Sequence, residues 1–246
     1  MNSAAAKRID PQEISKLMTT HAHELTAGFL EMQSDYLTRR YSIHKNIDTA
    51  QILLCLARNA HLAIVRQREI NLDSSLSIYN FLQNLKDIEV PSLKIVDVVQ
   101  TTGLPKETVR RKISKLVEYD WIEILYGKKY KWKLSDHQQE NFFKIVNLDI
   151  KDISKFISLF TKVLHLEFAS KEIENELKDK FSFYFLHYIH AQLNWYRMWQ
   201  SKVKDIDLIF ITIQALIPTV RNKIKKRNYI NIENLNLMIG ETDLKF

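Results

Sequence analysis

Apolar residues recur along most of this chain at the three-and-four spacing of helices that bury one face. Residues 11–41 carry this pattern, opened by Pro11, whose missing N–H costs nothing in a first turn, and weakened at Gly28. Ile52, Leu53, Leu56, Ala60 and Ala63 mark the inner face of a second helix running to about residue 68. Asp48 is placed to cap it, with Gln51 three residues on as a capping-box partner. A polar stretch at 71–74 reads as a loop, after which Leu76, Tyr79, Phe81, Leu82 and Leu85 predict a third helix with those side chains mostly inward. Beyond Ser135 and Gln138, a second capping pair, helices are expected at 136–147, 151–168, 171–200, 205–217 and 219–227, and the end from Gly240 is expected to fray.

The helical rhythm is interrupted between Pro91 and Leu134. A short helix at 95–101, a turn at Gly103-Leu104-Pro105 and a helix at 106–119 are followed by a strand at 121–126, a two-residue turn at Gly127-Lys128 and a return strand at 129–134. Val98 and Val99, Leu104 in the turn, and Val109, Ile113 and Leu116 at i, i+4 and i+7, with Val117 beside them, form an apolar nucleus between two crossed helices. Gly103 stands where the turn needs a left-handed backbone, and Pro105 is placed to start the second helix. That helix's opposite face carries Lys106, Glu107, Thr108, Arg110, Arg111, Ser114 and Lys115.

Charge sharpens this picture. The chain of 246 residues has a net charge of +7 and a pI near 9.3. Residues 94–134 hold ten basic and five acidic side chains, so most of the excess lies in about a sixth of the length, where general drift of composition would not put it. A basic face on a helix held out by a small apolar clamp suits the major groove of duplex DNA. Arg110 or Arg111 has the fork to grip guanine O6 and N7, and Glu107 can accept from a cytosine amino group. Thr108, Lys106 and Lys115 are suited to phosphate contacts that set register, and Lys128 and Lys129, at the hairpin tip, to the backbone or adjacent minor groove.

The run 102–113, Thr-Gly-Leu-Pro-Lys-Glu-Thr-Val-Arg-Arg-Lys-Ile, followed by Lys115-Leu116-Val117-Glu118-Tyr119-Asp120-Trp121-Ile122, resembles the winged helix-turn-helix of bacterial transcriptional regulators of the GntR, MarR and IclR type. The resemblance covers about 93–134. It implies a mainly α fold with a small β-hairpin wing: a central winged helix-turn-helix (74–135) between a helical N-terminal region (1–73) and a helical C-terminal domain (136–246) for dimerisation or effector binding. It also implies a sequence-specific transcriptional regulator that reads the major groove with helix 106–119. Three positions depart from the pattern: Asp120 replaces the glycine that ends the second helix, Val99 a packing alanine, and Lys94 a Ser/Thr cap. The alternative is a winged-helix protein-interaction module, or a replication or partition factor without a regulatory role.

Other features narrow the classes. Four glycines and four prolines favour helix over a turn-rich β-sandwich. Cys55 stands alone, which excludes an intrachain disulfide and any cysteine-rich metal site. A phosphate-binding glycine loop, G-x-S-x-G, H-E-x-x-H and a Cys/His zinc frame are all missing, so no enzyme and no cofactor is expected. The N-terminus is short and polar for a signal peptide, and no stretch of about 18 apolar residues occurs, so a soluble, cytoplasmic protein without membrane contact is expected. The aromatic stretch 181–199 suits a core helix, a dimer interface or a pocket for a small apolar effector. Double-stranded DNA and a second copy of the chain are the expected partners, since one reading helix covers only a short half-site. His187 and His190, at i and i+3, read better as ordinary histidines than as metal ligands. A basic run at Arg221, Lys223, Lys225, Lys226 and Arg227 suits a helix C-terminus or a further phosphate contact.

Overall fold

The computed structural model describes residues 10–70, 76–84, 90–203 and 205–225. Among them are ten helices and one antiparallel hairpin: α1 Pro11–Thr20, α2 Ala22–His44, α3 Ile47–Ile70, α4 Ile78–Asn84, α5 Ile95–Thr102, α6 Lys106–Glu118, β1 Ile122–Leu125, β2 Lys129–Trp132, α7 Asp136–Val163, α8 Ser170–Asp179, α9 Phe181–Gln200 and α10 Ile206–Lys225. The expected loop at 71–74, Leu85, Lys226, Arg227 and the tail from Gly240 lie outside the described residues, as do the side chains of Lys223 and Lys225.

Helix α9 is the axis of the body. It packs along α3 and also meets α4, α5, α8 and α10, while α2 lies between α7 and α10. Phe181, Phe185, Ile189, Leu193 and Tyr196 bury one face of it, so its aromatics are largely core. Phe183 remains exposed, and Tyr188, Trp195 and Trp199 are half-buried. Polar bonds fix α9 laterally. The Gln192 side chain donates to Gln33 Oε1 of α2 at 2.7 Å, and Gln200 donates to Gln51 Oε1 of α3 at 2.8 Å. At its start, Ser182 donates its N–H to the Leu76 carbonyl (3.0 Å) and accepts from Leu76 N at Oγ (2.7 Å), which satisfies a first-turn donor that no intrahelical acceptor can reach.

Several boundaries correct the sequence pattern. The expected helix at 11–41 is two helices, divided at His21 rather than weakened at Gly28, which sits within α2 against Leu159. Helix α3 begins at Ile47, and Asn46 Oδ1, not Asp48, accepts from Thr49 N at 3.1 Å. Gln51 is buried and donates to the Thr102 carbonyl at 2.8 Å, so it is no capping partner. Helix α4 turns Ile78 and Phe81 inward, with Tyr79 exposed. The helices expected at 136–147 and 151–168 are one continuous α7, and that expected at 171–200 divides at Lys180 into α8 and α9. The break expected at Pro218 does not occur. Pro218 lies inside α10 at an exposed position, and the carbonyl it leaves without a donor belongs to Gln214, itself an exposed residue.

Two buried polar features tie helices together, one between α2 and α7 and one on α3. Asp149 of α7, fully shielded, accepts from Arg39 Nε at 2.8 Å and is also bonded by Arg40, while Arg39 reaches Asp152 at 2.9 Å. The Arg40 guanidinium lies 4.5 Å from the centre of the Tyr36 ring. On α3, His61 is wholly buried, stacked 4.3 Å from Phe81 and edge-on to Phe181, with Nδ1 3.2 Å from the Ser182 carbonyl. That carbonyl requires the proton on Nδ1 and leaves Nε2 as an acceptor without a partner. Burial pushes the His61 pKa down to about 3. His44, edge-on to Trp121 at 5.3 Å, is lowered to about 4 by burial and then by Arg40.

Candidate nucleic-acid interface

The apolar residues that the spacing picks out in 93–134 turn inward. Val98, Leu104, Val109, Ile113 and Leu116 are buried, and Val99 and Val117 are half-buried beside them. The turn between α5 and α6 is tightly bonded. Gly103 takes φ +77 and donates to the Val99 carbonyl at 2.8 Å, and Thr102 Oγ1 donates to Val98 O at 2.7 Å. Pro105 precedes α6 rather than opening it; its extended ψ of 140 leaves Lys106 as the first helical residue and its carbonyl accepts from Val109 N. At Lys94, which has no capping oxygen, Asp97 substitutes by accepting from Lys94 N at 2.7 Å.

Helix α6 ends in a Schellman arrangement. Trp121 N bonds the Leu116 carbonyl and Asp120 N the Val117 carbonyl, with Asp120 at φ +60 in the place glycine usually fills. Asp120 Oδ1 then accepts from Lys133 Nζ at 2.6 Å, tying the helix end to the return strand. The hairpin pairs Ile122 with Trp132 and Leu125 with Lys129, so three residues, Tyr126, Gly127 and Lys128, connect the strands instead of the expected two. Gly127 and Lys128 both take positive φ, and the strands are shorter than expected. Leu93 exchanges backbone bonds of 2.8 and 2.7 Å with Tyr130, adding an outer bridge to the hairpin. Buried Ile122, Tyr130 and Trp132 anchor it, and Trp132 meets Phe142 of α7 at 5.2 Å.

Glu107, Thr108, Arg110, Arg111, Ser114, Lys115 and Glu118 line one furrow along the outside of α6. Lys106 is exposed at its start. Within this set Arg110 and Glu107 are paired, Nη2 to Oε2 at 2.7 Å and Nε at 2.9 Å, although Arg110 stays two-thirds exposed. Arg111 is exposed and makes no ion pair among the described residues, which leaves its full fork available. Lys112, by contrast, faces the body. Burial lowers its pKa and Asp48 raises it, while burial raises the carboxyl of Asp48, against which Lys112 pulls back. Lys128 and Lys129 are exposed at the hairpin tip, on a different element from the α6 furrow.

Sequence reasoning did not single out Tyr126, which is completely exposed at the same tip, nor the inward acidic corner of Asp48 and Asp207 opposite Lys112. No spacing rule marks either, because each depends on where the hairpin and α10 dock. Arg221 of the basic run near the C-terminus is held by Glu31 at 2.6 Å. Among the described residues, no three His, Cys, Asp or Glu side chains gather as metal ligands would, and no helix is long and apolar enough to cross a membrane. Comparison with protein-family models, curated proteins and solved structures finds no match.

Proposed function

We propose that α5, α6 and the hairpin form a winged helix-turn-helix, and that the chain is a sequence-specific DNA-binding transcriptional regulator acting on duplex DNA as a homodimer. The observation that carries this reading is the outer face of α6: Thr108, Arg111, Ser114 and Lys115 side by side, clear of the body, on a helix whose opposite face is clamped by Val109, Ile113 and Leu116. The unpaired Arg111 is the best base reader, bidentate to guanine. Arg110 is held in position by Glu107, so the two act as one preset unit that a neighbouring base can compete for. Lys106 and Lys115 sit where phosphates border the groove, and Lys128 and Lys129 project from the wing.

Selection of bound duplexes from a random pool is the direct test. A preferred sequence is expected, with two half-sites about 34 Å apart if two copies bind together. Arg111→Ala should weaken binding to that sequence by about 1–3 kcal/mol and relax preference at one position. Neutralising Lys128 and Lys129 should lower the slope of log affinity against log salt by about one for each phosphate no longer neutralised. Binding that is indifferent to sequence and to Arg111 would overturn the reading and favour a protein-contact role for the same face.

A further inference from the structure

Helices α3, α5 and α9 converge, beside the turn that leads into α6, on a half-open recess of about 270 Å³. Its polar walls are Arg58 of α3, Gln100 and Thr101 of α5, and His190, Asn194 and Arg197 of α9. The last three follow at i, i+4 and i+7, so they share a face of α9. Among the described residues, no carboxylate lines the recess and neither arginine forms an ion pair.

Arg58 donates to Thr101 Oγ1 at 3.2 Å, yet its Nε is buried with no acceptor. The pKa of His190 is lowered by burial and then by Arg58 and His187, which marks the field there as positive. Cations are favoured near helix C-termini, and α5 and α9 both end close by. That accounts for one cation at each end. It does not account for the orphaned donor, or for two guanidinium groups and an imidazole gathered round one space without a counter-charge. Like charges held together raise the energy of the empty site. An anion with several oxygens offsets them, and the guanidinium forks, the Thr101 hydroxyl and the Gln100 and Asn194 amides can all donate to its oxygens.

We propose that this recess is a phosphate-binding site, occupied by the phosphate of a small phosphorylated molecule or by a backbone phosphate of DNA. It borders the turn itself: a Cβ on Gly103 would lie 3.5 Å from Gln200 Oε1 and 3.9 Å from Arg197 Cγ. Occupancy would brace α5 against α3 and α9, and so set the angle at which α6 is presented. The second source rests on the DNA-binding reading above; the first does not.

The test titrates inorganic phosphate into the full chain at constant ionic strength, balanced with chloride, and follows the His190 imidazole resonances. Saturable shifts are expected. Arg197→Gln, a change at an exposed position, should weaken phosphate binding at least about tenfold, the effect of removing one charge-assisted bond, and Arg58→Gln should do the same. Arg111→Gln should leave it unaltered. If the DNA backbone is the source, phosphate competes with duplex and Arg197→Gln lowers the salt slope by about one. If a free phosphorylated molecule is the source, phosphate binding persists and that slope is unchanged. The proposal is overturned if phosphate gives no saturable shift and the slope is also unchanged in Arg197→Gln, or if phosphate binds equally to the wild type and both recess variants. Phosphate binding with no duplex binding would sink the regulator reading and leave this one standing.

Discussion

Two histidines, His61 buried and His44 half-buried, should make this protein acid-sensitive well above the range where carboxylates titrate. His61 has its pKa pushed down to about 3 and His44 to about 4, both primarily by burial, against about 6.5 in an unfolded chain. Between about pH 7.5 and about pH 5 the unfolded chain takes up a proton on each ring and the folded chain does not. Stability is therefore fully present above the unfolded value and falls as the pH drops through it. Integrating the proton difference gives about 2 kcal/mol for each ring across that interval, about 4 kcal/mol together. At lower pH the raised carboxyls of Asp48 and Asp207 act in the opposite sense, since the folded state holds their protons more tightly. These carboxyls, and His190, whose pKa burial also lowers, contribute alike to two proteins that differ only at His61. The assay is urea unfolding at a series of pH values for the wild type and His61→Phe. Phenylalanine keeps an aromatic ring against Phe81 and cannot ionise. Its missing bond to the Ser182 carbonyl shifts stability by a similar amount at every pH above about 5, so the difference in slope reports His61 alone. The variant should lose about 2 kcal/mol less than the wild type over the interval. Parallel profiles would show that His61 is not held neutral by its burial, and would refute the argument.

Asp149→Asn should cost about 3–5 kcal/mol in urea unfolding, because it leaves Arg39 and Arg40 in a half-buried site without their shared carboxylate. Gly103→Ala should cost about 1–2 kcal/mol from the left-handed backbone alone, and circular dichroism should show the helices retained.

The clamp around α6 was legible because it is local. Val109, Ile113 and Leu116 meet Val98 and Leu104 within twenty residues, and Asp120 takes the left-handed cap that the pattern demanded of it. The helices that were misdivided have distant causes. Asp149 reads as a polar interruption of α7 until its partners on α2, more than a hundred residues away, are in view. Lys180 separates α8 from α9 in a run without glycine or proline, and the new helix start draws its bonds from Leu76. Pro218 would end an isolated helix, but in α10 it faces outward while Ile213 and Val220 remain in the core. On the interface, residue type and spacing placed the α6 side chains on one furrow. They carried no information that Glu107 would engage Arg110 and leave Arg111 free, which depends on side-chain conformation. The phosphate recess was invisible for a simpler reason: its six walls come from three helices that only tertiary packing assembles.

The carbonyl at the end of α5 is gripped by Gln51, which in turn holds Gln200 at the end of α9. Head and trunk are thereby riveted through a chain of amides. In the DNA-binding homodimer proposed above, two such molecules back to back would hold their reading edges like the jaws of a fixed spanner, so a single extra base pair at the centre of a paired site should defeat simultaneous engagement.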